Sequence, residues 1–167
     1  MRRVCLGIDP GLGRLGYGVV IEEKSVMRAG EFGCIATEPR TPVEARILQI
    51  HERLCPLIER SGPELLSVER LFFGRNTTTA ENVFQIRGVV LLLAARYSIP
   101  LVQPKPSEVK LAVCGNGRAE KGQVQRMVFR LLRLESLPCQ DDAADALAIA
   151  LTGLALSGFQ MKTKSGD

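Results

Sequence analysis

The segment 4-VCLGIDPGLGRLGYGVVI-21 constrains the fold more than any other stretch. An apolar run from Val4 to Ile8 ends on a carboxylate, Asp9. Glycines at 11, 13 and 16 follow, and Tyr17–Ile21 is apolar again. Two such runs around a glycine-rich turn predict a hairpin-like pair of strands. Gly11-x-Gly13-x-x-Gly16 also has the spacing of a dinucleotide-binding fingerprint, but that motif needs its glycines to open a helix. Here a strand pattern follows them, which favours the hairpin. A carboxylate inside an apolar strand is costly unless neutralised. At the end of a strand it can point into a cleft instead.

The rest of the chain alternates strands and helices. Val26–Ile35 reads as a third, weaker strand. From Pro42, apolar residues at mostly helical spacing (Ile47, Ile50, Leu54, Leu57, Ile58) predict a helix ended by Ser61-Gly62-Pro63. Leu65–Val68 is a short strand that again stops at an acid, Glu69. Thr78-x-x-Glu81 is a capping box for a helix to about Ser98, and Leu101–Gln103 is a last short strand. Helical stretches at about Ser107–Val113 and Glu120–Arg133 flank 115-GNG-117. A final helix is expected from near Gln140 to about Leu156. Three early strands followed by alternating strands and helices imply an α/β fold: a mixed sheet covered by helices. Residues 1–158 are expected to form one domain and 159–167 a flexible tail.

At 167 residues the chain can bury a proper core. Five cysteines, an odd number without a C-x-x-C pair, argue against both a disulfide framework and a zinc site. They suit a reducing, cytoplasmic setting. The longest apolar run, 89-VVLLLAA-95, is far shorter than the ~18 residues of a membrane span. Seven basic side chains between Lys105 and Arg133 face only Glu108 and Glu120, a larger excess than the +4 of the whole chain. Such a stretch is either a solvated helix face or a surface for an anionic partner.

Asp9 and Glu69 end two strands, and Asp142 and Asp145, three residues apart, share one face of the last helix. Each alone has a structural explanation as a turn, a surface acid or a helix cap. Jointly, four carboxylates with no histidine or cysteine cluster suit hard cations such as Mg²⁺ or Mn²⁺. Two such ions about 4 Å apart can clamp a phosphodiester undergoing in-line displacement.

Four blocks carry a resemblance: 7-GIDPG-11 with 16-GYGVV-20, 68-VERLFFGRN-76, 117-GRAEKGQVQRMV-128 and 140-QDDAADALAIA-150. In this order, across almost the whole chain, they resemble the RuvC family of Holliday-junction resolvases. The resemblance implies an RNase-H-like fold with three antiparallel strands, then parallel ones, and helices on both faces. It implies a homodimer that nicks four-way junction DNA symmetrically with two Mg²⁺ ions per site, Mn²⁺ being possible, and that cooperates with the RuvA/RuvB branch-migration complex. It assigns catalysis and metal binding to Asp9, Glu69, Asp142 and Asp145, while Asp141 matches no family acid. Phe72 falls on an aromatic used at the junction centre, and Lys110 and Lys121 on basic residues associated with DNA contact or activity.

Around these positions, Arg70 and Arg75 flank the aromatic loop, and Arg118 belongs to the basic stretch, so all three are candidate phosphate contacts. Lys121 is either an electrostatic stabiliser or a solvated lysine at a helix start. Phe72 or Phe73 could instead plug the core. Phe84, Ile86 and Val90 lie on a helix apolar on nearly every side. They are expected at the subunit interface, the alternative being a wholly intramolecular helix. Two other readings compete: a non-catalytic junction-binding module, and an actin- or sugar-kinase-like ATP-binding fragment. His51, the single histidine, is expected at the surface with no metal role.

Overall fold

Side-chain parity along the first strand decides how the molecule is layered. In the computed structural model, β1 (Arg2–Asp9) sends Val4, Leu6 and Ile8 into one apolar cluster and Cys5 into another. A strand buried on both faces reads as a continuous apolar run, which is what Val4–Ile8 is. The structure describes the backbone of residues 2–70, 77–135 and 141–164, and side chains over 2–70, 80–135 and 141–158.

The other strands are β2 (Arg14–Glu23), β3 (Val26–Ala36), β4 (Leu65–Val68) and β5 (Leu101–Val102). They form one five-stranded sheet in the order β3-β2-β1-β4-β5. β1 and β2 pair antiparallel, with Asp9 opposite Gly16, as the hairpin reading requires. β3 continues antiparallel on β2, whereas β4 and β5 run parallel to β1. The mixed sheet is therefore the one expected.

Helices α1 (Val43–Ser61) and α2 (Thr77–Arg96) cover the Val4–Leu6–Ile8 face. α1 stops at Gly62, whose φ of 54° is left-handed, the conformation a helix C-cap requires and glycine adopts at least cost. The opposite face carries α3 (Pro106–Cys114), α4 (Lys121–Leu131) and α5 (Asp141–Lys164). α5 runs past the expected end at Leu156, because no proline interrupts the chain there and Gly158 alone is too weak a breaker.

α5 lies unusually close to the sheet. A Cβ built on Gly7 would collide with the carbonyl oxygen of Ala146, and one on Gly16 with that of Asp142. Ala143, Ala146 and Ala150, all buried, are the matching small residues on the helix. The glycines of the opening segment thus permit helix-to-strand approach, in addition to making a turn.

Ile86 and Val90 do not meet the interface expectation. Both are fully buried against the chain's own core, so neither presents surface to a second subunit. The 3.6-residue periodicity of α2 turns them toward the sheet, while Leu91 and Leu92 remain 40% and 60% exposed on the same helix. Phe84 is half-buried. Among the described residues no helix is long and apolar enough to cross a membrane.

Candidate active site

The same parity that layers the core gathers the acids. Asp9 follows Cys5 and Gly7 toward the α5 side of the sheet. On β4, Leu65 and Ser67 face that side, Ser67 donating a hydrogen bond to the carbonyl of Ile149 in α5 at 2.9 Å, and Glu69 follows them. The parallel register sets Ile8 beside Val68, so Asp9 and Glu69 leave neighbouring strands at the same level. α5 crosses both strands with Ala146 over Gly7, which brings Asp145 to the same point.

The result is a cleft of about 200 Å³ lined by Asp9, Glu69, Asp145, Lys110 and Lys121, with Val109, Val124, Ala148 and Ile149 as an apolar floor. Lys110 comes from α3 and Lys121 from the first position of α4. Five ionisable residues from β1, β4's end and three helices thus share one small, partly desolvated space. A larger hollow beside Tyr17 and Arg60 contains no acid among its lining residues.

The electrostatics are those of a site short of positive charge. Burial, reinforced by the neighbouring Asp145, Glu69 and Asp142 and opposed by Lys121, pushes Asp9 up to about 7. Burial likewise raises Glu69, reinforced by Asp145 and opposed by Lys110. Asp145 is raised by burial despite a 2.9 Å ion pair to Nζ of Lys121. That contact, in turn, holds the Lys121 ammonium above its ordinary range.

Asp142 sits differently. Its carboxylate forms a 3.0 Å ion pair with Nε of Arg14 at the start of β2, and lies 3.9 Å from Sγ of Cys34. It stands on the flank of the cleft, not in its lining. Asp141, the acid without a family counterpart, is exposed and 3.6 Å from Lys121. With Lys121 holding Asp145 and Arg14 holding Asp142, no three acid, histidine or cysteine side chains among the described residues form a closed cation cage. The donor set nonetheless suits a hard divalent ion: all-oxygen ligands whose mutual repulsion a cation would relieve.

The remaining expected site residues divide. Arg70 follows Glu69 directly and is exposed; Arg118 is exposed just before α4. Phe72 and Arg75 lie outside the described residues. His51 is half-buried on α1, 3.5 Å from Sγ of Cys55 and on the sheet face opposite the acids. Arg14 and Cys34 are neighbours of Asp142 that sequence reasoning missed. The one available signal was a lone arginine between the turn glycines and a strand.

Comparison with known proteins extends these observations. A family model described as "Crossover junction endodeoxyribonuclease RuvC" matches residues 5–153. The RuvC of Thermomicrobium roseum is 51% identical over 146 residues, covering 87% of this chain and 89% of that one. The Brevibacillus brevis RuvC is 47% identical, covering 92% and 93%. The solved Thermus thermophilus RuvC superposes with a TM-score of 0.87 at 36% identity, over 94% of this chain and 96% of that one. A second structure of the Thermus protein, in complex with a Holliday junction substrate, gives 0.85 at 34% identity, over 93% and 96%. The strand-end acids, the lysine-flanked cleft and the match across nearly the full length agree: this chain belongs to the RuvC family of crossover junction endodeoxyribonucleases.

Proposed function

We propose that this chain resolves four-way DNA junctions by paired, symmetric, metal-dependent nicks, acting as a homodimer. The observation that carries the reading is the convergence of Asp9, Glu69 and Asp145 in one cleft walled by Lys110 and Lys121. Those acids, with Asp142 released from Arg14, would hold divalent cations. Two Mg²⁺ ions fit the all-oxygen set, and Mn²⁺ would serve in their place. Bound there, such ions supply Lewis acidity toward the phosphodiester and its attacking water.

The chain's own groups do the rest. Asp145 would hold a cation in place of Lys121, and the ammonium would then be free to face the phosphate. There Lys121 stabilises charge that develops as water attacks phosphorus and the bond to the leaving oxygen breaks. Lys110 offsets the charge of Glu69. The apolar floor excludes bulk water, which strengthens both effects. Arg70, Arg75 and Arg118 contact backbone phosphates, and Phe72 stacks at the junction centre.

A four-way junction has two-fold symmetry, which a closed pair of subunits matches with two equal sites. Leu91 and Leu92 are exposed apolar residues of α2 that a second copy would cover. Hand-over from the RuvA/RuvB branch-migration complex would supply the substrate. An ATP-binding fragment and a non-catalytic binder are disfavoured by the family match and the retained acids. The direct test incubates the protein with a synthetic four-way junction and a linear duplex of the same sequence, with Mg²⁺ or EDTA. Paired nicks in the junction alone, lost in EDTA, are expected; equal cutting of both substrates would defeat the assignment.

A further inference from the structure

Beside the cleft lies a second charged cluster, in which Arg70 is joined by Arg87, a residue with no role so far. Arg87, half-buried on α2, donates from Nη2 to Oε1 of Gln103, just past β5. Its Nε is sealed from solvent and has no acceptor. Arg70 is tied to the same place, its backbone N–H donating to the carbonyl of Pro104 at 2.7 Å. The two guanidinium groups are near enough that Arg70, after burial, disfavours the charged form of Arg87. Neither arginine pairs with an acid among the described residues.

Two cations brought together without a counter-ion repel each other, and a guanidinium oriented by an amide but left unneutralised is a receptor for an anion. Its location identifies the anion. Arg70 is the residue after Glu69, and Gln103 precedes Pro106, which lines the cleft. The cluster lies at the carboxyl ends of parallel strands β4 and β5, one residue beyond Glu69 and on the α2 side of the sheet, so a DNA strand leaving the cleft over that edge would meet it.

We propose that Arg87, oriented by Gln103 and acting with Arg70, binds a DNA backbone phosphate adjacent to the one that is cut. It is a positioning residue: it holds the strand in register and does not touch the reacting atoms. This inference rests on the junction-cutting reading above. The Nη groups of Arg87 face the phosphate oxygens, Gln103 sets the plane of the guanidinium, and the single negative charge of the phosphate relieves the repulsion between the two arginines.

The test measures junction affinity with the Asp9→Asn protein in EDTA, so that cutting does not intrude, over about 50–300 mM KCl. Arg87→Gln is expected to reduce the slope of log K against log salt by about 0.9 and to weaken binding about tenfold near 0.1 M salt. Arg87→Lys retains the charge and should restore the slope, with affinity between the two. Gln103→Ala should weaken binding without changing the slope. Thermal midpoints run in parallel separate misfolding from lost contact. An Arg87→Gln protein with unchanged slope and affinity overturns the proposal. Should that variant not fold, wild-type affinity in both Arg87→Lys and Gln103→Ala overturns it instead. Failure of the wild-type protein to cut a junction in Mg²⁺ sinks the functional reading, and is a separate result.

Discussion

Asp9→Asn should make the metal-free protein more stable, and the gain should depend steeply on pH. The folded protein raises Asp9 from 3.8 to about 7. The folded state therefore holds this proton more tightly than the unfolded chain, and stability is lost as pH rises from about 4 to about 7. At about 1.4 kcal/mol per pH unit, the cost of the ionised carboxylate is about 4 kcal/mol at pH 8 and falls below about 1 kcal/mol at pH 4. The pH 8 figure is a ceiling, because water entry and side-chain movement relieve part of it. An asparagine keeps the shape and removes the charge. For a domain of this size each kcal/mol moves Tm by about 2–4 °C. Thermal unfolding in EDTA should thus show a variant advantage of several degrees at pH 8 that nearly vanishes at pH 4. Excess Mg²⁺ should stabilise the wild-type protein by about 2.7 kcal/mol at a hundred times its Kd. The variant, deprived of a ligand, should gain less. The same variant should bind junctions and not cut them. A variant less stable than wild type at pH 8 in EDTA, or equally favoured at both pH values, would falsify the claim that crowded, buried carboxylates dominate this site.

Three further outcomes follow from particular contacts. Gly7→Ala places a methyl group on the carbonyl of Ala146, so α5 must lift from β1. We expect a loss of at least 1–3 kcal/mol and reduced cutting, since Asp145 moves with the helix; an unchanged Tm contradicts the close approach. Lys121→Met should slow cutting about 100-fold while altering stability by under about 1 kcal/mol, because its pairs are half-exposed. Single-turnover rates within a few-fold of wild type would return Lys121 to a solvated helix start. Arg14→Ala frees Asp142, and the Mg²⁺ concentration giving half-maximal cutting should fall about two- to threefold. A rise in that requirement would mean Arg14 aids the site and does not compete for its ligand.

Much of the site was legible because its signals are local. An acid after a run of buried strand residues marks where the chain leaves the core, and this singles out Asp9 and Glu69 without reference to any other part of the chain, although a turn or surface position stayed open for each. Asp142 and Asp145 share a helix face by geometry alone. The hairpin, the helix stop at Gly62 and the mixed sheet likewise follow from turn chemistry and periodicity. The four motif blocks then carried the family.

What the sequence could not settle depends on contacts between distant segments. A helix apolar on nearly every side does not reveal which side meets the sheet, so Ile86 and Val90 read equally well as interface or core. Packing placed them in the core. The pairing of Arg14 with Asp142 joins a hairpin to a helix near the other end of the chain, and no periodicity encodes it. Gly7 and Gly16 look like turn chemistry until α5 is seen resting on them. Local backbone and burial preferences are written residue by residue, and those the sequence by itself determined. Which charges meet, and how near a helix may lie to a strand, is decided by long-range packing, which only the tertiary structure supplies.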